Sequence, residues 1–519
     1  MPHNRAAVLH NGAMMPLDVL KTADSAACDR HAEAAGVSGL SLMEAAGSAV
    51  AQAILSRWAK RPTVILCGPG KNGGDGLVCG RILRQAGWSV RIALLGDPGR
   101  MKGDAAAALA LWDGPVERMS ATSPGEAELV VDAIFGAGLS RPLDGVTAEL
   151  AAVLVVRAIP VIAVDLPSGV CGDRPAPDGI TVRADLTVSF HCRKPSHCLE
   201  PAASLCGELV IADIGIPAGW RDVVTPIAQL NAPALWQAAL PVPQAGTHKH
   251  QRGRLVVFSG GASSTGAARL AAIAGLRAGA GLVTLASPPA ALLVNASAST
   301  AVMVKRWDAE ADTGEFLVGL RADAGLIGPA AGMGETTRRA VSEALTGPAP
   351  MVLDADALTS FESDPQALFA QLRPIDVITP HAGEFERLFP GLLTASVNRI
   401  EATAEAARQA GCVVLLKGAD TVIAITGQTP VINRHASPAL ATAGSGDVLA
   451  GLIGGLMAQT VPAFQAACAA SWLHGDAGQR LGQGLIAEDI PDALPQVLQA
   501  LAERAARERA LARLGRPDR

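Results

Sequence analysis

At 519 residues the chain is too long for one ordinary core, so two or more domains are expected. Apolar residues make up 49%, aromatic residues only 3%, and there is no tyrosine, which excludes a tyrosine general acid. The net charge is −5 and the charges are mostly dispersed, so no nucleic-acid-binding face is expected.

Residues 1–20 lack a basic segment followed by a sustained apolar core, so no signal peptide is expected. No uncharged apolar run reaches the ~18 residues that a membrane span needs. Nine cysteines without regular spacing fit a reducing cytoplasm.

Two α/β halves follow in chain order. Residues 21–58 read as two small-residue helices. Thr63–Cys67 (TVILC) reads as a short buried strand, followed by a glycine-rich loop and a helix through Arg84. Further strands are expected at 88–95, 129–134 and 161–165. Strands alternating with helical patterns imply a mostly parallel sheet with ligands at the strands' carboxyl ends. A shift in composition with Pro226, Pro233, Pro241 and Pro243 marks a linker, placed at 226–246. The second half restarts with strands at 254–259, 282–286, 324–327, 351–353, 377–378, 413–417 and 422–425. The last helices run from Val448 toward Ala502, and residues 503–519 read as a charged, solvated tail. The domains are therefore placed at 1–225 and 247–502.

In the first half, Gly68-Pro69-Gly70-Lys71-Asn72-Gly73-Gly74-Asp75-Gly76 contains G-x-G-x-x-G between a strand and a helix, with Asp97 after the next strand. Pro69 stiffens that turn, and Asn72 and Asp75 add polar side chains that a plain pyrophosphate loop does not need. Asp132 precedes the loop Gly136-Ala137-Gly138, and Asp165 precedes Pro167-Ser168-Gly169. Asn72, Asp132 and Ser168 offer hard oxygens from three strand ends, either for a cation or as turn caps. His191, Cys192, His197 and Cys198 are ligand types that suit zinc, but adjacent side chains on a strand diverge. A strand-end loop with Lys194 near a substrate fits better.

The strings KNGGDG, DAIFGAGL and VDLPSGV resemble the YjeF N-terminal domain, the NAD(P)H-hydrate epimerase, over roughly residues 17–220. The upstream Leu42-Met43-Glu44-Ala45-Ala46-Gly47 is similar to that family's L-M-E-N-A-G. The resemblance implies a Rossmann-like three-layer sandwich. It also implies a hydrate site lined by Lys71, Asn72, Gly73, Gly74 and Asp75 and by Gly136, Ala137, Gly138, Leu139, Ser140, Arg141 and Pro142. Asn72, Asp132 and Ser168 would bind K⁺, and Asp165 would be the catalytic acid/base. Lys71 and Ala45 stand where that family usually has Asn.

In the second half, Ala441-Thr442-Ala443-Gly444-Ser445-Gly446-Asp447 precedes an apolar helical run. Its glycines let backbone N–H groups gather at a helix N-terminus, where an anion is favoured. A carboxylate there is unfavourable unless it has a task, such as taking a proton from a hydroxyl that attacks a phosphoryl group. The plainer alternative is a helix cap. With Gly260–Gly266, Gly328-Pro329-Ala330-Ala331-Gly332, Asp354-Ala355-Asp356, Thr379-Pro380-His381-Ala382-Gly383-Glu384 and Lys417-Gly418-Ala419-Asp420-Thr421, the half resembles the ribokinase-like superfamily. Within it, the resemblance is to ADP-dependent NAD(P)H-hydrate dehydratase over roughly residues 247–502.

That resemblance implies that Lys417, Gly418, Ala419, Asp420 and Thr421 flank AMP and that Gly444–Gly446 hold phosphates, Gly446 among the nucleotide contacts. Ala267, Gly332, His381 and Asp447 would meet the hydrate, with Asp447 the catalytic base. Ala330 replaces a glycine of the family's G-P-G-L-G, and on its own His381 reads as a turn residue. Asp354 and Asp356 read as helix caps or as partners of Mg²⁺ or substrate. The fused chain is then expected to epimerise NADHX and NADPHX and to dehydrate the S form with ADP, using K⁺ and Mg²⁺, in the cytoplasm and as a homo-oligomer. The alternative is a small-alcohol or vitamin-precursor kinase with a nucleotide-binding N-terminal module, and a third reading makes the first half a sensing module.

Overall fold

The computed structural model describes residues 17–242 and 246–513. Residues 1–16, Pro243 and residues 514–519, on which the readings of the leader, the linker and the tail partly rest, lie outside the described residues. The chain divides between Ala228 and Gln229 into two compact units.

In the first unit, Thr63–Cys67 is buried at every residue. Ile65 and Cys67 pack with Val50, Ile54 and Leu77 of the helices Gly39–Leu55 and Lys71–Gln85. Val64 and Leu66 pack with Leu150 and Leu154 of the helix Gly145–Val156. A strand apolar on both faces belongs in the middle of a sheet covered on both sides. The sheet has seven parallel strands in the order Val116–Arg118, Val90–Leu94, Thr63–Cys67, Leu129–Ala133, Val161–Val164, Leu186–Phe190, Glu208–Ala212. This is the expected three-layer arrangement. The strand order reverses between Thr63–Cys67 and Leu129–Ala133, and a ligand crevice opens at such a point.

The glycine-rich loop is shorter than the sequence suggests, because the helix begins at Lys71. The glycines sit inside the helix for packing reasons. A Cβ on Gly73 would stand 1.8 Å from the Gly68 carbonyl oxygen, and one on Gly74 would stand 2.5 Å from Met43 Sδ.

In the second unit the sheet runs from Gln229 and Leu230, of the strand Ala228–Leu230, through Val431–Asn433, Thr421–Ala424, Val413–Leu416, Val377–Ile378, Met351–Leu353, Ala324–Ile327, Arg254–Phe258 and Leu282–Ser287 to Met303–Arg306. Only Thr421–Ala424 is antiparallel to its neighbours. Leu255, Leu326 and Leu415 face the helices Gly266–Arg277, Ser445–Ala458 and Ala463–Leu481, while Val256, Ile327 and Leu416 face Glu335–Thr346 and Arg399–Ala410. The small residues have a use here. A Cβ on Gly451 would lie 2.1 Å from the Ala271 carbonyl oxygen, so Ser445–Ala458 and Gly266–Arg277 touch backbone to backbone.

The stretch read as a linker carries ordered structure. Gln229 and Leu230 register with Val431 and Ile432. Trp236 is buried, and its Nε1 donates to Asn231 Oδ1 at 2.9 Å. Asn231 in turn donates to Asn433 Oδ1 at 3.0 Å and to the Cys468 carbonyl at 2.7 Å. Prolines punctuate such a segment without dissolving it, and Pro233 opens a 3₁₀ turn.

Candidate active sites

At the carboxyl edge of the first sheet lies a cavity of about 690 Å³. Lys71, Asn72, Asp75, Gly136, Ala137, Gly138, Leu139, Ser140, Arg141 and Asp165 line it, together with Lys194 and His191. Gly73, Gly74 and Pro142 are not among its lining residues. Asp97 caps a 3₁₀ turn through the Gly99 N–H and is not part of the lining.

Asp165 follows the strand Val161–Val164 in a left-handed backbone conformation, φ 66°. A non-glycine residue held there costs ~1–2 kcal/mol and needs support. The support is specific. The Asp165 carbonyl accepts from His197 Nε2 at 2.8 Å, while His197 Nδ1 accepts the Lys194 N–H at 3.0 Å. Both ring nitrogens of His197 are therefore engaged, which removes it from any zinc site. Burial pushes the His197 imidazole down to about 3, so it stands neutral.

The Asp165 carboxylate accepts from the Ala137 N–H at 2.9 Å, from Ser189 Oγ at 2.8 Å and from Lys194 Nζ at 2.7 Å. Burial alone would push this carboxyl up, but the Lys194 ammonium outweighs it and holds Asp165 down at about 2. Since His197 is neutral, Lys194 supplies the charge. Gly136 keeps the approach open. A Cβ there would stand 2.9 Å from Asn72 Oδ1 and 3.0 Å from Asp165 Oδ2.

Asp132 is fully buried beneath the same edge. Ser168 Oγ donates to its Oδ1 at 2.6 Å and the Ser168 N–H to its Oδ2 at 2.7 Å. Burial pushes its carboxyl up to about 6 despite these bonds, and among the described residues no cation pairs with it. The Asn72 amide leaves a buried Nδ2 without a partner. A buried carboxylate without a counter-ion, a hydroxyl and an amide oxygen are hard donors that fit a K⁺ ion.

In the second unit, close backbone approaches draw the predicted motifs together. A Cβ on Gly260 would lie 1.9 Å from the Ala330 carbonyl oxygen, and one on Gly328 would lie 1.7 Å from that of Asp354. The Gly332 N–H donates to Asp356 Oδ2 at 2.8 Å, so Asp356 fixes the Gly328–Gly332 loop. Ala330 takes a left-handed φ of 53° where a glycine would carry no strain. Ala267 is the second residue of the helix Gly266–Arg277, which follows the Gly260 loop.

Asp354 is no cap. It is 2% exposed and accepts Lys417 Nζ at 2.6 Å, with Glu384 Oε2 at 3.8 Å on the same ammonium. Burial works against the Lys417 charge, but the Asp354 and Glu384 carboxylates hold its pKa above the usual lysine range. Gly444, at φ 87°, opens the helix Ser445–Ala458 with no side-chain cap, so Gly446 and Asp447 lie in an uncapped first turn. Lys417 Nζ stands 3.8 Å from where a Cβ on Gly446 would be. The lysine expected beside AMP thus sends its ammonium toward the acid cluster and the anion hole. Gly418 and Thr421 close the following turn by mutual hydrogen bonds, and buried Asp420 meets Arg399 at 3.5 Å. Burial, then the nearby Asp354, pushes Asp447 up to about 6, with Lys417 opposing.

His381 caps the helix Ala382–Leu388, its Nδ1 accepting from the Gly383 and Glu384 N–H groups. Its other nitrogen lies 3.3 Å from Glu384 Oε1, and the side chain is 54% exposed, so capping leaves the ring open to a ligand. Sequence reasoning missed Glu384 as a partner of Lys417, Ser189 as a donor to Asp165, and His197 as a backbone clamp. Ser189 lies within the strand Leu186–Phe190, Glu384 within the helix Ala382–Leu388 and His197 in a 3₁₀ turn, so no shared local pattern signalled them.

The YjeF-related protein N-terminus family matches residues 39–196, and the NAD(P)H-hydrate dehydratase family matches residues 255–499. The bifunctional NAD(P)H-hydrate repair enzyme Nnr of Moorella thermoacetica is 37% identical over 89% of this chain and 93% of its own. The Nnr of Escherichia coli is 32% identical over 90% and 91%. The ADP/ATP-dependent NAD(P)H-hydrate dehydratase from Bacillus subtilis, co-crystallised with ATP/Mg²⁺, is 26% identical, with a TM-score of 0.45 over 53% of this chain and 99% of its own. With both domain families in order and full-length relatives above 30% identity, the chain belongs to the bifunctional NAD(P)H-hydrate repair enzymes.

Proposed function

We propose that the first unit interconverts the R and S hydrates of NADH and NADPH, and that the second dehydrates the S form while converting ADP to AMP and phosphate. The observation that carries the first half is Asp165, an ionised carboxylate only 14% exposed and pinned by Lys194 in the wall of a cavity large enough for much of a dinucleotide. Asn72, Asp132 and Ser168 would hold K⁺, which supplies positive charge beneath the loops that frame the hydrate.

For the second unit, the support is the juxtaposition of an uncapped helix N-terminus, Asp447 and the Lys417 ammonium. The N–H groups around Gly446 would receive the nucleotide's phosphates. Asp447 takes the proton of the hydrate's hydroxyl as that oxygen attacks the terminal phosphoryl group. Lys417 faces the charge on the moving phosphoryl group, released by Asp354 as the phosphate arrives. Phosphate then leaves far more readily than hydroxide, and elimination restores the dihydronicotinamide ring. Among the described residues no three carboxylate, histidine or cysteine side chains converge on one metal point, so Mg²⁺ fits as a passenger on the nucleotide phosphates.

The kinase alternative differs in its product. The test is to quantify AMP, phosphate and NADH from the S hydrate, ADP and Mg²⁺. Equal amounts of all three support the dehydratase, whereas a phosphorylated nucleotide that accumulates without NADH would establish the kinase. Asp447 acts as a base only when ionised, so dehydration should fall as pH drops through about 6. Asp447→Asn should lower it by ~10²-fold or more at every pH.

A further inference from the structure

Inverting a hydroxyl-bearing carbon takes a proton donor as well as an acceptor. Asp165, ionised and held by three donors, can only accept. Three further carboxyl groups line the same cavity, Asp29, Asp75 and Asp104, and of these only Asp75 is buried. It sits one turn into the helix Lys71–Gln85, is 8% exposed, and meets no cation or hydrogen-bond donor among the described residues. A charge buried without a partner costs several kcal/mol, so such a carboxyl keeps its proton. Every neighbour agrees except one. Burial first, then Asp165 and Asp29, push Asp75 well above the usual carboxylate range, and only Lys71 opposes. Lys71 is itself 67% exposed and paired with Asp29 at 3.2 Å, so its pull is weak. Asp104, Arg141, His191 and Lys194 are the remaining charged or titratable groups on the cavity wall near these two, with Cys28. Among the four carboxyl groups of this cavity, Asp165 held ionised and Asp75 held neutral divide the labour of acid and base.

We propose that Asp75 is the proton donor of the epimerase site and Asp165 its acceptor, acting by dehydration and rehydration; this rests on the epimerase reading. The hydrate is a hemiaminal, its hydroxyl on the ring carbon bonded to the ring nitrogen. Asp75 gives its proton to that hydroxyl, the C–O bond breaks, and the oxygen leaves as water with both bonding electrons. The nitrogen lone pair forms a C=N⁺ bond. Water then adds to the other face of the carbon, the C=N π pair returns to nitrogen, and the surplus proton passes to Asp165. A weakly basic carboxylate suffices, because a protonated alcohol is a strong acid. The reverse direction, or exchange with solvent, restores both groups.

The test uses the full-length chain with Asp75→Asn and Asp75→Glu. Epimerisation is followed by ring-carbon NMR in H₂¹⁸O, with NADP⁺ binding measured by calorimetry and dehydration of the S hydrate by the second unit as the check on folding. Asp75→Asn should lose ~10²–10⁴-fold in kcat with NADP⁺ affinity within threefold, and Asp75→Glu should recover part of the loss. The wild-type enzyme should place one ¹⁸O in the product per inversion. A kcat within threefold of wild type in Asp75→Asn, a loss confined to KM, or inversion without ¹⁸O would overturn the proposal. A wild-type enzyme that inverts neither hydrate would instead defeat the epimerase reading itself.

Discussion

Lys194→Met is the perturbation whose consequences the structure fixes most closely. In the native chain the Lys194 and Asp165 side chains are 4% and 14% exposed and meet at 2.7 Å. Removing the ammonium leaves Asp165, little exposed, with only neutral donors, Ser189 Oγ and the Ala137 N–H. Asp132 is a measure of that situation on the same sheet edge, since it is buried, bonded only to neutral donors and pushed up to about 6. Asp165 should therefore rise from about 2 to about 6. At ~1.4 kcal/mol per pH unit, that is ~6 kcal/mol of lost preference for the ionised form. The sign for stability follows from linkage. The depressed pKa of native Asp165 stabilises the fold above the unfolded carboxyl value and loses that contribution as pH falls through about 2. In the variant the folded value lies above the unfolded one, so at neutral pH this carboxyl costs the fold ~3 kcal/mol where in wild type it contributes ~3, and the cost fades as pH falls from ~6 to ~4. The epimerase pH profile gives the direct assay. Wild type should lose no activity to Asp165 protonation down to pH ~4, whereas the variant should titrate near pH 6 and retain about a tenth of its plateau at pH 5. An unmoved acidic limb in Lys194→Met would refute the claim that this lysine sets the charge of Asp165.

Gly136→Ala should misplace Asn72 and the pinned Asp165, because the new methyl group would stand 2.9–3.0 Å from both. Misplacement on that scale predicts a ~10–100-fold loss of epimerase kcat, with dehydration of the S form intact. K⁺ should raise the melting temperature of the first unit over that in tetramethylammonium, by a few degrees when present at ~100 times its Kd. Asp132→Asn should abolish that difference, and an equal K⁺ effect in the variant would remove Asp132 from the cation site.

Much of this architecture was legible because buried parallel strands announce themselves. Ala324–Ile327, Met351–Leu353 and Val377–Ile378 lie where their apolar runs place them. The glycine loops were legible for a related reason, since only glycine tolerates approaches such as Gly68 to Ile134. Side-chain pairings were not legible. Asp165 and Lys194 are 29 residues apart, and Lys417 and Asp354 are 63 apart. Only the strand order brings them together, and no local pattern encodes that order. The helix start at Lys71 was misread because glycines in sequence look like loop, whereas Gly73 and Gly74 serve helix packing. The linker reading gave too much weight to prolines and too little to Trp236, whose burial anchors the segment.

The central claim is that one chain repairs both hydrates, through two separate catalytic carboxylates. It is tested by giving the purified protein a mixture of R and S hydrates of NADH with ADP, Mg²⁺ and K⁺, and following NADH absorbance. The wild-type chain should convert the whole mixture rapidly, and Asp165→Ala should convert only the S fraction rapidly. Equal rapid conversion of the whole mixture by Asp165→Ala would contradict the epimerase assignment, and no NADH from any mixture would contradict the dehydratase.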